Sequence, residues 1–112
     1  MTQVYHPTLA AGRWQTFSLA EQLGHVGSEV SRAIRWQTKE PITFQRAFDR
    51  LLELMDLTIR DVRWHVGRHE LTRTREVLCD FFVGDNIYRS DAAGLQRYFD
   101  QFAISARTTG KT

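Results

Sequence analysis

"SLAEQLGHVGSEVSRAIRW", residues 18–36, decides the fold class. Ser18 followed by Glu21 is a capping box, in which a hydroxyl and a carboxylate each accept a backbone N–H at a helix start. From there Leu19, Leu23, Val26, Val30 and Ala33 recur every three or four residues, the spacing that lines up one face of an α-helix. This helix is expected to run to about residue 38, where Lys39, Glu40 and Pro41 break it. A second stripe on the same segment consists of small residues, Ala20, Gly24, Gly27 and Ser31. Two glycines inside a helix cost roughly 1 kcal/mol each relative to alanine. Close approach of another helix, from the same chain or from a second copy in a homo-oligomer, is expected to offset that cost.

Three more helices follow outward from this one. Phe44, Phe48, Leu51, Leu52, Met55 and Ile59 form one face of a helix from about 43 to 60. Leu71, Leu78 and Phe82 mark a helix from about 69 that stops at Gly84. Ser90 is placed to cap a last helix with Leu95, Tyr98, Phe99, Phe102 and Ala106 in a stripe. No segment shows strand alternation. Connections of about five to eight residues favour antiparallel neighbours. The expected fold is all-α, an antiparallel four-helix bundle over residues 18–107. An extended, irregular N-terminal arm, residues 1–17 with Tyr5, Trp14 and Phe17, wraps it, and a tail from 108 to 112 frays.

A chain of 112 residues is enough for one core. With 42% apolar and 25% charged residues it has the make-up of a globular domain rather than a disordered one. No apolar run approaches the roughly 20 residues of a membrane span, and no signal-peptide pattern opens the sequence. The single cysteine, Cys79, excludes an internal disulfide and fits a reducing cytoplasm. Net charge is only +2, but thirteen of the fifteen cationic residues are arginine. Arginine's planar fork suits phosphates and carboxylates, and its face stacks on bases.

Function concentrates on "RDVRWHVGRHELTRTR", residues 60–75. Arg60, Arg63, Arg68 and Arg73 cluster there beside Trp64, with guanidiniums for phosphates and an indole for stacking on an unpaired base. Arg32, Arg35 and Lys39 end the first helix, and antiparallel packing would bring them near Arg46 and Arg50. These residues define a candidate nucleic-acid surface, with RNA preferred. Arg75 lies with Leu71, Leu78 and Phe82 on the helical wheel, which places a guanidinium in the core with Glu29, Asp49 or Asp56 as its partner. His65 and His69 have the spacing of two ligands on a helix face, but no HExxH accompanies them and Gly67 lies between. No metal site and no cofactor is expected. The connection "FFVGDNIYRSD" combines a glycine stop with Asp85 and Asn86 for turn hydrogen bonds.

Two resemblances bear on function. Arg60, Asp61 and His65 resemble the R-x4-6-H motif of HEPN ribonucleases, in which the histidine would help activate an RNA 2′-hydroxyl and the arginine would steady the phosphate. More widely, "SLAEQLGHVGSEVSRAIRW", "FDRLLELMDLTIRDVRW", "REVLCDFFVGDNIY" and "LQRYFDQFAISAR" resemble a family of small, largely uncharacterised bacterial and archaeal helical proteins. In size, helix count and charge the chain is similar to 23S rRNA intervening-sequence proteins and to the accessory proteins of diversity-generating retroelements. That similarity implies a non-enzymatic, RNA-binding accessory subunit of a ribonucleoprotein, with a larger protein such as a reverse transcriptase as partner. A metal-independent ribonuclease, or a protein-binding adaptor whose arginines meet acidic partners, remain the alternatives.

Overall fold

The computed structural model describes residues 12–109, and Tyr5 and the last three residues lie outside them. A 3-10 turn, Arg13–Thr16, precedes four helices: α1 (Leu19–Trp36), α2 (Pro41–Arg60), α3 (Arg68–Val83) and α4 (Ala92–Thr109). A second 3-10 turn, Val62–Trp64, links α2 to α3. There is no strand among the described residues. The molecule is an all-α, up-down-up-down bundle. α1 packs closely on α2 at one side and on α4 at the other, and α3 joins mainly through α2.

Local chemistry sets the helix ends. The capping box of α1 is formed: Ser18 Oγ accepts from Glu21 N at 3.1 Å and Glu21 Oε1 accepts from Ser18 N at 2.9 Å. α2 begins at Pro41 rather than Thr43, because proline needs no hydrogen bond at a first helical position and Glu40 caps Ile42 N with its carboxylate. α4 is capped by Asp91, whose Oδ1 accepts from Gly94 N, and not by Ser90. Ser90 instead exchanges hydrogen bonds with the Asn86 side chain.

The core runs the length of α1 and α2, with Leu23, Val26, Val30 and Ala33 facing Ala47, Phe48, Leu51, Leu54 and Met55. α3 contributes Leu71, Leu78 and Phe82, and Phe82 meets Phe44 and Phe48 with ring centroids 5.8 Å away from each. α4 contributes Phe99, and its Tyr98 hydroxyl lies 3.5 Å from the Thr74 hydroxyl of α3.

The small-residue stripe of α1 is where α4 crosses. A Cβ on Gly27 would stand 2.6 Å from Phe99 Cβ, and one on Gly24 would stand 3.3 Å from the Ala103 backbone. Sequence alone left open whether Ala20, Gly24, Gly27 and Ser31 serve this chain or a second copy. At the two glycines the occupant is α4 of the same chain.

The chain before α1 is not an arm laid over the surface from residue 12 on. Trp14 has no solvent exposure and belongs to the core. Its ring meets Phe17 edge-on at 5.7 Å, and His25 of α1 lies 5.1 Å from the Phe17 ring.

Candidate nucleic-acid interface

The segment after α2 turns because Asp61 stops the helix. It leaves helical geometry (φ −67°, ψ 117°) and caps the following 3-10 turn by accepting from Arg63 N. Asp61 is almost wholly buried. A buried carboxylate must be fully hydrogen-bonded, and this one accepts four bonds: one from Gln22 Nε2, and three from Arg63 through its backbone N, Nε and Nη2, the shortest 2.7 Å. Arg63 pulls the Asp61 carboxyl down from its ordinary 3.8 to about 2 against the opposing effect of burial, with Gln22 adding to the same direction. The Arg63 guanidinium is correspondingly held more basic than usual by Asp61.

The bonds continue on both sides of Asp61. Gln22, a polar residue inside α1's apolar stripe, donates from Nε2 to the Trp14 carbonyl at 2.9 Å and accepts at Oε1 from Trp64 Nε1 at 2.8 Å. Trp14 Nε1 donates to Thr58 Oγ1 at 3.0 Å, and Thr58 donates to the Leu54 carbonyl. Arg63 Nη2 also reaches the Phe17 carbonyl, and the guanidinium covers the Trp64 ring at 4.4 Å from its centroid. No buried side-chain nitrogen or oxygen among the described residues is left without a partner. This latch ties the pre-α1 turn, α1, the end of α2 and the α2–α3 connection together.

The arginine cluster of residues 60–75 is thereby divided. Arg63 and Trp64 are committed to the latch rather than free for phosphate and base. Stacking a base on Trp64 would require displacing Arg63 from its face. Arg68 donates to the Ile59 carbonyl at 3.1 Å, closing the turn into α3. Arg60, His65 and His69 remain exposed at this end, and Arg73 is exposed further along α3 with its guanidinium 5.8 Å from the Tyr88 ring. No group of three or more metal-ligating side chains occurs among the described residues.

Charge is arranged differently at the other end. Glu29, buried on α1, pairs with Arg32 at 2.9 Å and with Arg50 of α2 at 3.3 Å. Beyond that ion pair Arg35, Lys39 and Arg46 are exposed, and no carboxylate of the described residues is paired with them. Arg35 lies near the Trp36 ring, 5.8 Å from its centroid.

Arg75 corrects an expectation. It pairs with Asp56 at 2.7 Å as one of the named carboxylates, but the side chains are 36% and 43% exposed, so the pair lies at the surface. α3 touches the bundle mainly through α2, so only a narrow stripe of it is buried and position 75 emerges at the seam. Asp49 accepts from Gln45 of its own helix, not from Arg75. The buried carboxylates are Glu29 and Asp61. Asp61 was visible in the sequence only as the middle of an arginine–histidine motif. Gln22, which donates to its carboxylate, and Thr58, whose carbonyl accepts from its backbone N, were signalled only by being polar residues on otherwise apolar faces.

No protein-family model matches this chain, no curated protein matches it, and no solved structure matches it. No helix of the described residues is long and apolar enough to cross a membrane.

Proposed function

We propose that this protein is a non-enzymatic, RNA-binding accessory subunit of a cytoplasmic ribonucleoprotein, with a larger protein, such as a reverse transcriptase, as its companion. The observation that carries this proposal is the set of exposed cations at the α1–α2 end: Arg35, Lys39 and Arg46 lack ion-pair partners among the described residues, beside Arg32, which shares Glu29 with Arg50. Phosphate contacts of this kind release counterions and dominate nucleic-acid affinity. Arg60 and Arg73 are further phosphate contacts on other faces, whereas Arg63, Trp64 and Arg68 support the fold beneath them.

Filter binding against single-stranded and hairpin RNA tests this. Replacing Arg35, Lys39 and Arg46 together by alanine should weaken binding on every sequence and lower the salt slope by about two to three units. Retention of no RNA at physiological salt by the wild type, alone or with its co-purifying partner, would overturn the proposal in favour of a protein-binding adaptor. Arg60 and His65, both exposed on either side of buried Asp61, favour a second reading as a HEPN-like ribonuclease. A cleavage gel separates the two: RNA cutting that disappears in His65→Ala while binding survives would establish the enzyme.

A further inference from the structure

The three tryptophans of the chain are used differently. Trp14 lies in the core with its Nε1 bonded to Thr58. Trp64 lies in the latch, its Nε1 bonded to Gln22 and its ring under Arg63. Trp36, the last residue of α1, is half-buried, yet it is part neither of the core nor of the aromatic residues packed against it. Its Nε1 donates to no group among the described residues. Because no buried nitrogen there lacks a partner, that edge of the indole faces solvent. No other aromatic ring meets it among the described residues. An indole with an apolar body and a wet edge is suited to an interface.

The surroundings of Trp36 are cationic. The α1–α2 connection folds back on the end of α1, with Lys39 N and Glu40 N both donating to the Trp36 carbonyl at 3.1 Å, and Lys39 is exposed there. Arg32 lies one turn earlier on the same face of α1, and its side chain is half exposed where it reaches Glu29. The Arg35 guanidinium is 5.8 Å from the ring centroid, at the outer limit of a cation–π contact, whereas Arg63 covers Trp64 at 4.4 Å. Glu40 is the one carboxylate in the connection, and it is turned to cap Ile42 N at the start of α2. The nearest carboxylate back along α1, Glu29, is held between Arg32 and Arg50.

We propose that Trp36 stacks on an unpaired base of the RNA whose phosphates Arg35, Lys39 and Arg46 contact, so that this end of the bundle takes single-stranded RNA in preference to duplex. The assignment rests on the reading of the α1–α2 end as an RNA interface and adds the form of the ligand to it. A duplex hides its base faces in its own stack and offers cations only its backbone, whereas a splayed base exposes both faces. Stacking is an uncharged contribution that salt hardly screens, which separates it from the phosphate contacts.

The test measures the binding of three probes: an oligouridine, a blunt RNA duplex of the same length, and the oligouridine backbone without its bases. The wild type should bind the oligouridine most tightly. Trp36→Ala should weaken oligouridine binding by about tenfold with no change in salt slope, and should leave the duplex and the base-free strand unaffected. Tryptophan emission gives a readout that does not depend on the stability of that variant. Oligouridine should quench the wild type and the duplex should not, and Trp36→Phe should abolish the quenching while keeping most of the affinity. Quenching that persists in Trp36→Phe would assign the stacking to another tryptophan and overturn the proposal. So would a Trp36→Ala protein that binds oligouridine as tightly as the wild type, or that weakens on all three probes alike. In these cases RNA binding through the cations still stands. A wild type that retains none of the probes at physiological salt would instead overturn the RNA reading itself, and this assignment with it.

Discussion

Asp61 carries its charge in a place with almost no solvent, and Arg63 and Gln22 make that tolerable. Because its carboxyl is held at about 2 in the folded protein, well below the ordinary 3.8, the group contributes stability that is fully present above about pH 4 and is lost as pH falls toward 2. The difference corresponds to about 2 kcal/mol. Urea unfolding at pH 7 and near pH 2 should show that loss in the wild type. Asp61→Asn should be less stable at pH 7, with a smaller acid decline. An equal decline in the two proteins would place the acid sensitivity elsewhere. Arg75 illustrates the opposite case. Its pair with Asp56 is more than a third exposed, so screening leaves it little weight, and Arg75→Ala should cost no more than about 1 kcal/mol in a thermal melt. A larger loss would mean that the side chain supports the α2–α3 packing.

At the scale of the helices, periodicity was a sound guide, because an apolar stripe repeats locally and needs no knowledge of what it faces. Leu19, Leu23, Val26, Val30 and Ala33 are legible in this way, and so are the faces of α2 and α4. Boundaries slipped where a cap was chosen by a few hydrogen bonds: Glu40 with Pro41 starts α2 early, and Asp91 outcompetes Ser90 at α4. The phase of α3 put Arg75 in the core because a wheel shows which residues align but not how wide a stripe the neighbours cover. The latch was illegible for a different reason. Gln22, Thr58 and Trp14 make their polar contacts with distant parts of the chain, and no local pattern announces such a partner. The glycine stripe posed a question that the packing of α4 answers, and that answer makes a prediction. Gly27→Ala gains helix propensity of about 1 kcal/mol but forces a methyl against Phe99 Cβ, a clash whose relief costs roughly 1–3 kcal/mol. Its melting temperature should fall. Gly24→Ala, facing Ala103 at 3.3 Å, should fall less. A Gly27→Ala protein that melts higher than the wild type would show that α4 can move away.

Across the whole molecule, the same end of the bundle carries cations on the α1–α2 hairpin and exposed apolar residues with carboxylates on the α3–α4 hairpin. The latch at the far end has a consequence in time as well as in stability. Its long-range bonds join residues 39 to 46 positions apart, whereas α1 and α2 meet across a connection of only residues 37–40. Short loops close before long ones. The α1–α2 hairpin is therefore expected to form in the folding nucleus, and the latch to close after the rate-limiting barrier. Trp14→Phe and Gln22→Ala should then quicken unfolding while leaving the refolding rate nearly unchanged, a φ-value near zero read from stopped-flow chevrons. A matching slowdown of refolding would put the latch in the nucleus instead. With the bond network formed late, the lifetime of the native state, more than the speed of reaching it, is what these buried polar residues govern.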